Sequence, residues 1–162
     1  MKKLMISANS SKRAKMSLKI ISHISSLACA FVFCLQVALS VVDKEYITAI
    51  GVAASAAIGL FAVTVMRKII NAPRPYEVFD FYEIPPREKS GQSFPSRHAY
   101  SAFAIATLAW LLHPIISLVL LLFGVCLSLA RVLLGIHFVR DVIVGAAIGI
   151  ISGVLGILII VL

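Results

Sequence analysis

The stretch Ile20–Val42, IISHISSLACAFVFCLQVALSVV, decides the fold. Its 23 residues include no lysine, arginine or carboxylate. A helix of that length reaches about 34 Å, enough for a hydrocarbon core of about 30 Å. Asp43-Lys44-Glu45 ends it without a small-residue cleavage pattern, and the run outlasts a signal-peptide h-region, so it reads as a retained span. The rest of the chain agrees. Of 162 residues, 60% are apolar and only 14% charged, with a mean hydropathy of +1.02. A soluble domain of this size cannot hide that much apolar surface.

Working outward, four more apolar runs follow. They lie at about Ile47–Met66, His98–Leu112, Pro114–Ala130 and Asp141–Leu162. Lipid leaves no partner for an open sheet edge, so each run is expected to be a helix. The fold class read here is all-α: an integral membrane bundle of about five transmembrane helices with a site at one membrane interface. Residues 1–19 form a basic tail, and 20–162 the membrane-embedded domain. The tail holds Lys2, Lys3, Lys12, Arg13, Lys15 and Lys19 and no acid, and it accounts for much of the net charge of +8. A basic flank of this kind marks the cytoplasmic side and places Leu162 across the membrane. Nothing else in the chain resembles a nucleic-acid reader, so no nucleic acid partner is expected.

The connections are unequal. Asp43–Tyr46 and His113-Pro114 are tight turns, whereas Arg67–Arg97 is a polar segment of 31 residues and Arg131–Arg140 a second polar interruption. Counting spans puts both polar segments on one face. Loops of that length in compact proteins usually carry function.

The ionisable residues gather on that face. Arg67, Lys68 and Arg74 end the second span, Ser96, Arg97 and His98 begin the third, and Arg131, His137 and Asp141 lie between the fourth and fifth. Interfacial snorkelling accounts for an arginine or two but not for two histidines and an aspartate. His137 and Asp141 are four apart, so one helical turn places them on a shared face. The carboxylate can then hold Nδ1–H and leave Nε2 free to attack. Arg67, Arg74 and Arg131 supply planar forks suited to phosphate oxygens. Ser96 and the first amides of span three add neutral donors, and His98 is placed to protonate a leaving alkoxide. Carboxylates do not cluster as a metal site requires, so neither metal nor cofactor is expected.

The set Arg67-x6-Arg74-Pro75, Pro95-Ser96-Arg97-His98 and Arg131-x5-His137-x3-Asp141 resembles the three-part motif of the type 2 phosphatidic acid phosphatase superfamily. That superfamily includes lipid phosphate phosphatases and vanadium haloperoxidases. Its pattern is Lys-x6-Arg-Pro, Pro-Ser-Gly-His and Ser-Arg-x5-His-x3-Asp. The resemblance implies a catalytic set of His137, His98 and Asp141, with His137 forming a phosphohistidine. It implies that Arg67, Arg74, Ser96, Arg97 and Arg131 hold the phosphoryl oxygens, Arg97 at least through its backbone amide. Three positions depart from it: Arg67 for Lys, Arg97 for Gly and Ala130 for Ser. The implied activity is metal-independent hydrolysis of a phosphomonoester or diphosphate of a membrane lipid. Phosphatidic acid, phosphatidylglycerophosphate and polyprenyl phosphates or diphosphates are the candidate substrates, and the cell membrane the expected location. The rivals are a vanadate-dependent haloperoxidase-like enzyme, a catalytically altered lipid-binding protein, and a transporter, for which no inverted repeat is seen.

Other features read as packing. Gly51, Ser55 and Gly59, and again Gly145, Gly149 and Gly153, recur at four-residue spacing, suited to close helix contacts within the chain or to a homo-oligomer. His23 and His113 lack sequence partners, Tyr76, Phe79, Phe81, Tyr82 and Trp110 suit an aromatic belt, and Cys29, Cys34 and Cys126 read as small apolar residues.

Overall fold

A computed structural model describes residues 2–79 and 90–162. Among the described residues the structure is helical, without strands. The helices are α1 (Lys2–Ser10), α2 (Lys12–Val42), α3 (Tyr46–Ile70), α4 (Pro75–Val78), α5 (Arg97–Leu108), α6 (Pro114–Leu133) and α7 (Val139–Val161). A single 3₁₀ turn, Ala109–Leu111, extends α5. Phe81 and Tyr82 of the expected aromatic belt lie outside the described residues.

Among the described residues, four helices are long and apolar enough to cross a bilayer, those containing α2, α3, α6 and α7. The third expected span is the exception. With 12 residues, α5 covers only about 18 Å, less than the hydrocarbon thickness. It survives because it is central rather than lipid-facing: Ala99, Tyr100, Ala102, Ala104, Ala106 and Leu108 are all buried among the other helices. The outer surface is the reverse of a soluble protein's. Phe31, Ile47, Ile69, Leu122 and Ile159 are each more than 65% exposed, while Ser22, Ser25, Gln36 and Ser117 are buried. Large apolar side chains outside and hydroxyls inside are what a lipid solvent selects.

The first span begins earlier than the apolar run implies. Helix α2 starts at Lys12 rather than Ile20, and the remainder of the basic tail folds as α1. Lysine and arginine are good helix formers, so a run of them at a membrane boundary extends a helix rather than ending it. Met5 is buried, and Asn9 Nδ2 donates 2.8 Å to the carbonyl of Leu133 at the end of α6. The N-terminal helix therefore sits on the face where α6 ends, the face the span count assigns to the site.

Both small-residue stripes are used inside the chain. A Cβ on Gly145 would lie 2.5 Å from the Ser96 carbonyl, and one on Gly149 2.5 Å from that of Tyr100. On Gly153 it would lie 2.6 Å from Thr107 Cβ, so α5 and α7 meet backbone to backbone along this stripe. Gly51 and Gly59 face Ile160 and Ser152 of α7. A hydroxyl knot ties the three helices together: Tyr100 donates to the Ala56 carbonyl (3.0 Å), and Ser152 to that of Ser55 (3.2 Å).

Candidate active site

The α6–α7 connection carries the expected nucleophile. After α6 the chain reverses through Gly135, whose φ of +72° is a conformation open to glycine and costly for other residues. The reversal sets His137 ahead of α7, 2% exposed. Asp141, fully buried in the first turn of α7, places Oδ2 3.7 Å from His137 Nδ1. That gap is longer than a hydrogen bond, and Ser93 spans it. Ser93 Oγ donates to Asp141 Oδ2 at 2.5 Å and lies 3.4 Å from His137 Nδ1. The Phe138 amide donates to the same carboxylate oxygen at 2.9 Å, while Oδ1 faces Arg140 Nε at 3.5 Å. With its Nδ1 side taken up by this group, the imidazole offers Nε2 for chemistry.

His137 lies outside the spans, and its pKa is held below the ordinary imidazole value. Burial is the main cause, the charges of Arg74 and Arg67 act the same way, and Asp141 opposes them. A neutral imidazole is the form that keeps a lone pair for attack.

The loop from Gly91 to Ser96 packs across this center and joins the three motifs. Ser93 N donates to the Ala72 carbonyl (2.8 Å), and Ser96 N to the Asp141 carbonyl (2.9 Å). Arg67, 4% exposed, gives Nη1 to the Pro95 carbonyl at 2.7 Å and to that of Ser93 at 3.4 Å. Arg74 Nε donates to the Gly91 carbonyl (3.0 Å), and Glu77 closes the same corner by accepting from the Arg74 and Gly91 amides. Ser96, fully buried, caps α5 by accepting from Ala99 N at 3.4 Å. Capping uses an oxygen lone pair, so the hydroxyl hydrogen can still reach a phosphate.

His98 occupies the first turn of α5, exposed, and with Arg97 lines a cavity of about 280 Å³. The positive charges of Arg131, Arg97 and Arg67 act on it. Every residue named for the site from the sequence is thus drawn to one end of the bundle. Lys68 is the outsider, turned about 100° around α3 from buried Arg67 and exposed.

The family model of the PAP2 superfamily matches residues 48–161. This chain belongs to the PAP2 superfamily. Among solved structures it is similar to LpxE from Aquifex aeolicus, with a TM-score of 0.73 and 24% identity over 96% of this chain and 93% of that one. It is also similar to a transmembrane PAP2-type phosphatidylglycerolphosphate phosphatase from Bacillus subtilis, with a TM-score of 0.59 and 20% identity over 94% and 88%. At these identities the likeness carries the fold. No curated protein matches the sequence.

Within the PAP2 fold the structure adds residues that the sequence reading passed over. Ser93 is the main one, and Glu77 and Asn71 shape the first motif's turn, Asn71 in the left-handed region at φ 44°. Tyr76, assigned to an aromatic belt, is instead buried beneath the Arg74 guanidinium, 5.8 Å from the ring center. His113 acts structurally, capping α6 through Nδ1, which accepts from Ile115 N at 3.2 Å.

Proposed function

We propose that this protein is a multi-pass cell-membrane phosphatase that hydrolyses a lipid phosphate through a phosphohistidine, without metal. The observation that carries the reading is a buried, neutral-leaning His137, backed by Ser93 and Asp141 and surrounded by guanidinium groups.

His137 Nε2 attacks phosphorus while Asp141, directly and through Ser93, supports the positive charge that develops on the ring. Arg67, Arg74 and Arg131, with the Ser96 hydroxyl and the first amides of α5, meet the equatorial oxygens. Positioning and charge stabilisation of this kind are the main requirement of phosphoryl transfer. His98 protonates the leaving oxygen, then takes a proton from the water that hydrolyses the phosphohistidine. The apolar walls beside His98 suit a leaving group that carries a hydrocarbon chain, which favours a lipid over a halide or a small ester.

The test is phosphate release by purified protein in detergent from phosphatidic acid, phosphatidylglycerophosphate and polyprenyl phosphates, with chelator present. Turnover should persist in chelator, vanadate should inhibit, and enzyme quenched in alkaline denaturant should hold an acid-labile, alkali-stable phosphoryl group. Loss of activity in chelator, restored by a divalent metal, overturns the histidine mechanism. By the basic tail the site faces the cytoplasm. On a cysteine-free background, an impermeant thiol reagent added to intact cells should label Lys44→Cys and spare Ser90→Cys; the reverse pattern overturns that orientation.

A further inference from the structure

The basic N-terminal segment takes no part in the chemistry, yet the structure fixes it beside the site. Residues 1–19 carry six lysines and arginines, and the first carboxylate of the chain is Asp43, at the far end of α2. Orientation in a membrane needs only that charge. It does not need a folded segment, and this one is folded and fastened. Ser11, extended at φ −102° and ψ 124°, breaks the helix between α1 and α2. Beyond the break α1 is held by buried Met5 and by Asn9, whose Nδ2 donates to the Leu133 carbonyl at 2.8 Å. That carbonyl belongs to the last turn of α6, where the helix leaves it no partner of its own. Arg131 lies just before it and His137 one turn of chain after it, so α1 sits beside the rim of the site.

The height of the segment matches lipid headgroups. At 1.5 Å per residue the 31 residues of α2 reach about 46 Å, and the uncharged run Ile20–Val42 takes about 34 Å of that. Lys12–Lys19 therefore extends about 12 Å past the apolar run, through a headgroup layer about 5–8 Å thick. Lys12 and Lys19 are two turns apart on one face, both exposed, with Met16 exposed between them. Arg13 is exposed on the adjoining face, and Lys3 and Ile6 are exposed side by side on α1. Cations at headgroup height, with apolar side chains between them, suit an anionic interface: charge meets phosphate, and the apolar groups reach the upper methylenes.

We propose that α1 and the first two turns of α2 form a binding surface for anionic phospholipid headgroups of the leaflet next to the site. Lys3, Lys12, Arg13 and Lys19 pair with headgroup phosphates through charge-assisted hydrogen bonds. The bound lipids lie beside the α6–α7 connection, so an anionic substrate is concentrated at the rim before it enters. That delivery rests on the proposed lipid-phosphatase activity, whereas the binding surface itself does not.

The experiment places the full chain in phosphatidylcholine nanodiscs, where trace spin-labelled phosphatidylserine or phosphatidylcholine reports the motionally restricted fraction. Phosphatidylserine is a phosphodiester without a terminal phosphate, so this reading is independent of turnover. Wild type should restrict phosphatidylserine in preference to phosphatidylcholine, and added salt should reduce the preference. Lys3→Gln, Lys12→Gln, Arg13→Gln and Lys19→Gln together should lower it by about twofold or more, whereas Lys3→Arg, Lys12→Arg and Lys19→Arg should keep it. With phosphatidic acid at low mole fraction, the glutamine variant should raise KM by about threefold or more at unchanged kcat. Melting profiles identify misfolding, and Lys12→Gln with Lys19→Gln covers a failure of the fourfold variant. An equal lipid preference in wild type and the folded variant overturns the surface. So does a fall in kcat at unchanged KM, which makes α1 a brace for α6 and no more. A preference lost in the variant, from a wild type that hydrolyses no lipid phosphate, upholds the surface and overturns the proposed activity.

Discussion

The two sides of α5 are built on opposite principles. Toward α7, helices touch through glycine: a Cβ on Gly145 or Gly149 would stand 2.5 Å from a backbone carbonyl. The Ser96 amide meets the Asp141 carbonyl across the same seam, so the second and third motifs are fixed to each other through main chain. Toward α2 and α3, small side chains leave two cavities of about 280 and 240 Å³. The difference separates two requirements of a membrane phosphatase. In-line attack needs reacting groups set within about half an ångström, which main-chain contact provides. A lipid chain needs room and an entry from the bilayer, which loose packing provides.

The largest effects are expected where the tight side carries the chemistry. His137→Ala should lower kcat by about 10⁴-fold or more, as loss of a nucleophile does. Arg67→Ala should cost about 10²–10³, because a phosphoryl charge in a screened site loses a donor. Arg67→Lys should recover a substantial part. Single-turnover phosphate release checks all three, and full activity in His137→Ala removes the nucleophile assignment.

The comparison itself is tested by one overfilled position on each side. Gly149→Val should lower stability by about 1–3 kcal/mol through overpacking and lower kcat by about 10²-fold by shifting the α5–α7 register. Ala57→Leu, in the open groove, should melt like wild type. Its kcat/KM should fall by about tenfold for long-chain lipids and much less for a short-chain analogue. If the two variants destabilise equally, the distinction between a rigid and an adaptable side fails.

The acid limb of activity sharpens the electrostatic part. Below its folded-state pKa His137 is protonated and cannot attack, and above it the ring is a base. Burial and the nearby guanidiniums lower that pKa, so kcat/KM should hold as pH falls to the ordinary imidazole value of 6.5 and decline only below it. Arg74→Gln removes one of the charges that hold it down, so its acid limb should move to higher pH. A limb that moves lower instead contradicts the assignment of His137 to it.

Much of this center was legible because ionisable residues at a membrane boundary are costly, and six of them fell in three spaced groups. His137, Asp141, His98, Arg67, Arg74 and Arg131 announced themselves in that way. Ser93 did not. A serine in a polar segment is ordinary, and its value comes from a backbone path that lays Gly91–Ser96 across α7, which no local spacing encodes. Helix α1 was missed because a basic stretch of low hydropathy is read as a tail, although Met5 is buried and Asn9 ties the helix to α6. The glycine stripe on α7 was legible as a contact surface, but its partner was not. Small residues say that something approaches closely, and only the arrangement of helices shows that α5 does.

The smallest effect should come from the residue next to one of the largest. Arg67 and Lys68 both end α3 as cations, and either can be proposed as the motif's first charge. One residue along a helix turns a side chain by about 100°, so the two cannot share a target. Arg67 turns inward, 4% exposed, with Nη1 on the Pro95 carbonyl, and it alone has six residues between it and Arg74. Lys68 turns outward and is exposed. An outward lysine near the membrane boundary anchors the helix by reaching toward water and takes no part in the center. Lys68→Ala should therefore change stability by less than about 0.5 kcal/mol and kcat/KM by less than about twofold. The measurement is a side-by-side assay with Arg67→Ala in the same detergent. If Lys68→Ala is the crippling change and Arg67→Ala the tolerated one, the first motif is misaligned by one residue, and the center has lost its deepest arginine.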